Sequence, residues 1–270
     1  MSKERSEGER TKGVSIEHFS GGECVEKRDF VAVEEPLQIT VDGHPIAVVM
    51  RTTGDDEDLV LGFLITEGVL ISEDQISRID LEQKQNHALV FLKDDVDVDY
   101  DRLKRNLYSA SSCGICGKAS IESVSQKVDK IDSAFMVDRK VIFDSPNKMK
   151  NEQEAFESTG GIHAAGLFNA AGELLILRED VGRHNAIDKL IGASLGHGVD
   201  RKNAFLLVSG RVSFEVVQKT LVAGIPMVCA ISAPTSLAVD FAHETELTLI
   251  GFLRGDKMNV YAGGQRVIRN

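Results

Sequence analysis

Two apolar-rich runs, Leu37-Gln-Ile-Thr-Val41 and Ile46-Ala-Val-Val-Met50, flank Asp42-Gly43-His44-Pro45. Asp-Gly suits the positive backbone angles of a tight turn, so the pattern predicts a β-hairpin. Asp55-Asp-Glu-Asp58 then precedes Leu59-Val-Leu-Gly-Phe-Leu-Ile65. Carboxylates complement the positive end of a helix dipole, which predicts a helix start there. Ala88-Leu-Val-Phe-Leu92 reads as a further strand. Asp101-Arg-Leu-Lys-Arg-Asn-Leu107 has amphipathic helical spacing. Tyr108 to Gly117, YSASSCGICG, is Gly/Ser-rich and reads as a mobile loop. Asp144-Ser-Pro-Asn-Lys-Met-Lys-Asn151 reads as a linker.

From about Glu152 the pattern becomes regular. A hairpin is expected over Ala164–Arg178, turning at Asn169-Ala-Ala-Gly172. Helices are expected at Val181–Leu195, Ser213–Ala223 and Thr235–Glu244. Strands are expected at Ala204–Val208, Pro226–Ile231, Leu247–Phe252 and Asn259–Tyr261. Strands alternating with helices imply crossover connections and a partly parallel sheet covered on both faces. The fold class expected is therefore α/β, a mixed sheet with helices on both faces, plus a smaller α+β N-terminal domain. Residues 1–13 offer little to bury and are expected to be disordered. The small domain is placed at 14–107, the cysteine-containing loop and linker at 108–151, and the α/β domain at 152–270.

The chain has 270 residues, 42% of them hydrophobic, enough for a substantial core. Its net charge of −11 disfavours a phosphate backbone, so nucleic acid is not expected as a partner. The opening MSKERSEGERTKG lacks an apolar signal-peptide core, and no run is long enough to span a bilayer. A cytoplasmic protein without membrane insertion is expected. In that reducing compartment Cys24, Cys113, Cys116 and Cys229 do not form a disulfide framework.

Cys113-Gly-Ile-Cys116 is the close pair. A structural zinc site would need two further ligands, usually as a second close pair, and none is present, so no structural metal is expected. Lys118 and a helix start at Ala119 would favour a thiolate. A flexible thiolate can carry sulfur as a persulfide, or it can exchange disulfides. The second chemistry in its usual fold places the pair after a buried strand, which the preceding residues do not resemble.

Three stretches could bind anions. Val208-Ser-Gly-Arg-Val-Ser213 lies at a strand-to-helix turn, with Arg211 charged and Ser213 a plausible cap. Phe252-Leu253-Arg254-Gly255-Asp256-Lys257 joins two strands and carries two cations. Asp180-Val-Gly-Arg-His-Asn-Ala-Ile-Asp188 opens a helix beside a strand end, where ligands of α/β sheets gather. Ordinary turns account for the first two stretches taken singly, whereas for the third a ligand site and a polar surface with a cap at Asp180 weigh equally. His163 stands alone and reads as a hydrogen-bonded structural residue.

Taken together, several segments resemble the formate dehydrogenase accessory sulfurtransferase (FdhD/NarQ) family. They are Ser112–Gly117, Thr159-Gly-Gly-Ile-His-Ala-Ala165, Glu179–Lys189, Ser209-Gly-Arg-Val-Ser-Phe-Glu215, Ser232-Ala-Pro-Thr-Ser236, and Leu249–Phe252 with Val260-Tyr261. The resemblance runs from about Glu35 to the C-terminus. It implies a sulfurtransferase that takes sulfur from a cysteine desulfurase. The acceptor would be the molybdenum cofactor in its bis(molybdopterin guanine dinucleotide) form, and the client formate dehydrogenase. Cys113 would carry the persulfide and Cys116 would assist. The cofactor stretch would be Phe252, Leu253, Arg254, Gly255, Asp256 and Lys257, with Arg211 nearby. A homodimer is implied, as is a cytidine-deaminase-like second domain. Deaminase chemistry is not expected, because Ala165 stands where H-x-E needs its Glu and Ser209-Gly-Arg211 replaces P-C-x-x-C. Thiol–disulfide oxidoreduction and non-catalytic cofactor chaperoning are the competing functions.

Overall fold

The computed structural model describes residues 8–82, 86–100 and 130–269. The expected helix at 101–107, the loop with Cys113 and Cys116, and Lys118 lie outside the described residues. A two-stranded antiparallel arm comes first, β1 (Thr11–Ser20) and β2 (Glu23–Ala32). Gly21 and Gly22 form its turn with positive φ of 59° and 90°. The strand β1 thus starts inside the stretch expected to be disordered. Strand pairing, with Thr11 opposite Ala32, orders residues whose composition alone offers no core.

A four-stranded sheet follows, in the order β4-β3-β6-β5. Its strands are β3 (Glu35–Val41), β4 (His44–Arg51), β5 (Ile76–Glu82) and β6 (His87–Leu92). The β3–β4 turn is Asp42-Gly43, both with positive φ, as the hairpin pattern predicts. Leu37, Ile39 and Val41 alternate onto one face with Ala88 and Val90, where α1 (Asp56–Thr66) covers them with Leu59, Val60, Phe63 and Leu64. Burying this face stabilises the sheet at roughly 1.5–3 kcal/mol per large side chain.

The larger sheet has six strands in the order β13-β12-β11-β10-β8-β9. They are β8 (His163–Asn169), β9 (Leu174–Asp180), β10 (Ala204–Val208), β11 (Met227–Ala230), β12 (Thr248–Arg254) and β13 (Lys257–Ala262). The β10–β11 and β11–β12 pairs are parallel, while β8–β9, β10–β8 and β12–β13 are antiparallel. Helices α4 (Arg183–Gly196), α5 (Phe214–Val222) and α6 (Ser236–Glu244) cover one face. Two helices precede the sheet, α2 (Arg139–Glu152) and α3 (Glu154–Thr159), and α2 packs on the opposite face. The short β7 (Val137–Asp138) and β14 (Val267–Ile268) pair beside them. In β10, Ala204, Leu206 and Val208 face the three helices, and Phe205 and Leu207 face the α2 side. Both faces are dry, which is why this strand is a continuous apolar run.

The linker expected at 144–151 is instead the body of α2. Pro146 hides it, because proline lacks the N–H that would bond the carbonyl four residues back. The Ser145 hydroxyl donates to that carbonyl, Ile142 O, at 2.7 Å, so the helix continues without an orphaned acceptor. Ile142, Ser145 and Met149 form its buried stripe.

The two sheets are joined through α1 and α4. A Cβ on Gly62 would lie 1.9 Å from Asp188 O, and one on Gly192 would lie 1.9 Å from Asp58 O. Each helix therefore presses its glycine against the other's backbone. Arg178 donates to Asp58 from Nε at 2.9 Å and from Nη2 at 2.7 Å across the same joint.

Candidate functional site

The parallel strands β10, β11 and β12 end beside a cavity of about 700 Å³. Ser209, Ile231 and Leu253 line it just past or at those strand ends, the usual place for a ligand in an α/β sheet. Pro146, Met149 and Lys150 of α2, Phe156 of α3, Ile162, His163 and Val181 complete most of the wall. Met149, Ile162 and Leu253 are buried, whereas Asn147, Lys150, Gly160, Gly161, Arg254 and Gly255 are exposed. The buried lining of the cavity is thus largely apolar, with Gln153 its buried polar exception, and its mouth carries two cations.

The β12–β13 hairpin brings Leu253, Arg254 and Gly255 into this wall. Arg254 pairs with Lys257 across a Gly255-Asp256 turn, with Gly255 at a φ of 56°. The ladder shifts register between Gly251 and Arg254. At that shift Phe252 has a φ of 52°, rare for a bulky side chain, and its ring is 43% exposed. The Phe252 N–H donates to Ser232 O at 3.0 Å, holding the shift in place. Phe252, Asp256 and Lys257 do not line the cavity, and neither does the exposed Arg211. Of the expected cofactor stretch, then, Leu253, Arg254 and Gly255 meet at the cavity.

The opposite wall is set by Ser209. Its N–H donates to Ala164 O at 3.0 Å, and its Oγ accepts from the Ala164 N–H at 3.0 Å. The same Oγ lies 3.3 Å from His163 Nδ1. Burial, aided by the positive charge of Arg183, lowers the pKa of His163. The imidazole is therefore a neutral hydrogen-bonding group at neutral pH. Gly210 packs against both neighbours of this wall, since a Cβ there would sit at ordinary contact distance, 3.4 Å from Arg183 Cβ and 3.5 Å from His163 Nδ1.

Behind this wall the starts of α4 and α5 face each other. His184 Nε2 lies 3.1 Å from Glu215 Oε2 and 3.3 Å from Ser213 Oγ. Ser213 is the N-cap residue of α5, but its hydroxyl faces His184 and makes no capping bond. Burial, with Lys219 and Arg183 adding, holds the His184 pKa down at about 3. His184 is thus a neutral donor to the Glu215 carboxylate. Arg183 Nε is buried without a hydrogen-bond partner among the described residues. Asp180 does not cap the helix from the N-cap position, which is Gly182. Its Oδ1 accepts from the Gly182 N–H at 2.8 Å and from Asn185 Nδ2 at 3.0 Å.

Cys229 is buried in the sheet and burial pushes its thiol far up, whereas Cys24 is exposed on the arm. Cys229 does not fit a sulfur carrier, because a buried, protonated thiol is inert. Among the described residues, no three His, Cys, Asp or Glu side chains converge as metal ligands. No helix among them is long and apolar enough to cross a membrane.

The fold and this wall define the class: a mixed α/β protein with a cavity at the ends of its parallel strands. Residues 32–268 match the FdhD/NarQ family, and the chain belongs to that family. It is 45% identical over 272 residues to "Sulfur carrier protein FdhD" of Streptomyces coelicolor, covering 96% of each chain. It is 42% identical to the protein of the same name from Saccharolobus solfataricus, covering 96% of this chain and 99% of that one. A solved structure, a putative formate dehydrogenase accessory protein from Desulfotalea psychrophila, superposes with a TM-score of 0.78. That structure is 23% identical and covers 96% of this chain, so it establishes the likeness of fold. The family supports a sulfur-transfer role for formate dehydrogenase.

Proposed function

We propose that the chain takes sulfur from a cysteine desulfurase as a persulfide on Cys113. It then passes that sulfur to the bis(molybdopterin guanine dinucleotide) form of the molybdenum cofactor, the substrate destined for formate dehydrogenase. The observation that carries this reading is the cavity at Leu253, Arg254 and Gly255, in a chain that also bears Cys113-Gly-Ile-Cys116. A largely apolar interior of about 700 Å³ with Lys150 and Arg254 at its mouth suits one nucleotide portion of such a substrate. Arg254 and Lys150 would hold phosphate oxygens, and Lys257 and Arg211 would add charge outside the cavity. Cys116 would assist release of sulfur from Cys113.

Two copies of the chain would serve the two guanine nucleotides of the substrate, so a homodimer is part of the proposal, and the cytoplasm is its compartment. The six-stranded sheet is read as the cytidine-deaminase-like domain. An antiparallel β8–β9 hairpin leading into three parallel strands with intervening helices supports that reading. The test is maturation of formate dehydrogenase in cells that carry Cys113→Ala in place of the native chain. Loss of client activity with normal levels of the variant is expected; full activity would refute sulfur carriage by Cys113.

A further inference from the structure

We propose that the wall formed by His163 and Ser209 reads the edge of a planar nitrogen heterocycle, while Lys150 and Arg254 hold its phosphate tail at the mouth. The inference rests on the nucleotide reading of the cavity and assigns which end of the ligand lies inside.

The cavity is polarised. Its cations, Lys150 and Arg254, sit on exposed residues at the rim. Its interior is largely apolar, with Met149 at 2% exposure, Ile162 at 6% and Leu253 at 0%. A phosphate placed inside would lose its water to hydrocarbon, whereas a flat ring would lose little. The ring therefore goes in first. A ring with nitrogen and carbonyl groups at its edge then needs hydrogen-bonding partners in the interior, since a buried polar group left unpaired loses its bonds to water without replacement.

His163 supplies such a partner, and Ser209 holds it in place. The Ser209 Oγ already accepts from the Ala164 N–H, so its own proton is available to His163 Nδ1 at 3.3 Å. That places the imidazole proton on Nε2, on the opposite side of a ring that lines the cavity. Among the described residues Nε2 has no protein partner. Its N–H is a neutral donor, suited to a ring nitrogen or carbonyl oxygen. A charged imidazole would compete with Lys150 and Arg254 for phosphate, and the burial of His163 beside Arg183 disfavours that state. Ser209 acts as a positioning residue, through the tautomer of His163.

The test measures binding of four probes to the full chain by calorimetry: guanosine diphosphate, guanosine, 6-hydroxymethylpterin and inorganic pyrophosphate. His163→Ala is expected to weaken one of the two free heterocycles about tenfold, as for one hydrogen bond, and to weaken guanosine diphosphate by the same factor where that ring is guanosine. Pyrophosphate affinity should stay unchanged in that variant, which also shows that it is folded. Whichever heterocycle loses affinity identifies the ring that enters, purine or pterin. Lys150→Ala with Arg254→Ala should weaken the diphosphate and pyrophosphate and spare the free ring. His163→Gln, which keeps a neutral donor, should recover part of the loss. Equal affinity of His163→Ala and the native chain for every probe would overturn the inference while leaving the nucleotide reading intact. Failure of both free rings to bind the native chain, while the diphosphate binds, would overturn it as well. A native chain that binds no diphosphate would refute the nucleotide reading and, with it, this assignment.

Discussion

Lys189 Nζ lies 2.9 Å from Asp180 Oδ2, and both side chains are wholly buried. The pair ties the two sheets together, because Lys189 also donates to Thr52 O at 2.7 Å and Asp180 Oδ2 accepts from the Thr52 N–H at 3.1 Å. Asp180 and Lys189 bracket the start of α4, the element that carries Arg183 and His184. Removing one partner of a buried pair leaves an uncompensated charge, at about 3–5 kcal/mol. Lys189→Met should therefore lower the stability of the whole chain by that order in urea denaturation. A change below 1 kcal/mol would show that the pair does not hold the joint.

The contact of α1 with α4 makes a second prediction. Gly62→Ala and Gly192→Ala each push a methyl group into the opposing backbone, at Asp188 and Asp58. The helices must separate, and overpacking of this kind typically costs 1–3 kcal/mol or more. Gly196→Ala is the control, since nothing lies within 4 Å of its Cβ position. That change should be neutral or stabilise α4 by up to about 1 kcal/mol. Thermal melts of the three variants check the contrast.

His184 makes the stability depend on pH. Its folded pKa of about 3 lies below the ordinary 6.5, so its contribution is present above pH 6.5 and is lost as pH falls toward 3. Asp188 acts oppositely: burial against its hydrogen-bonded partner Lys219 leaves its folded pKa at about 6, above the ordinary 3.8. Its effect therefore declines as pH rises from about 4 to 6 and masks that of His184. A difference measurement separates them. The stability of the native chain minus that of His184→Gln should increase by about 1.4 kcal/mol per pH unit between pH 4 and 6. Urea titrations at three pH values give this slope, and a flat difference would contradict it.

Much of the fold is legible in the sequence wherever local chemistry and tertiary context agree. Asp42-Gly43 marks a turn because both residues must take positive φ, and they do. The block from Ala164 to Tyr261 alternates between strand and helix because each element buries a face of the six-stranded sheet. Helix α2 is illegible because Pro146 and Asn147 carry breaker signals that the Ser145 hydroxyl offsets through a contact with Ile142 O. Concealing α2 also conceals Lys150 as part of the cavity. Gly21-Gly22 is a turn signal flanked by strands that mix apolar and charged residues on both faces and stay largely exposed, so no sustained apolar face marks the arm.

The site was legible in part. Arg254 and Gly255 occur in a recognisable hairpin, and the ladder shift at Phe252 then turns Leu253 and Arg254 into the wall. The partnership of His163 with Ser209 joins residues 46 apart, and that of His184 with Ser213 joins residues 29 apart. Only the packing of β8 on β10 and of α4 on α5 brings these pairs together. The clustering of polar residues at Arg183-His184-Asn185 was the visible signal.

The thiols outside the Cys113 motif should behave differently from each other. In a Cys113→Ala, Cys116→Ala chain, an aromatic disulfide reagent should titrate Cys24 at once, because it is exposed. Cys229 should react only after denaturation, since burial keeps its thiol protonated and covered. Rapid reaction of two thiols in the native state would contradict the placement of Cys229.

Sulfur carriage by Cys113 can be read directly from the mass of its peptide. The native chain should be incubated with a cysteine desulfurase and cysteine, and its peptides weighed by mass spectrometry without reduction. The peptide that contains Cys113 should gain the mass of one sulfur atom, and reduction should remove it. An unmodified Cys113 peptide, with the added sulfur on Cys24 or on none, would contradict the account.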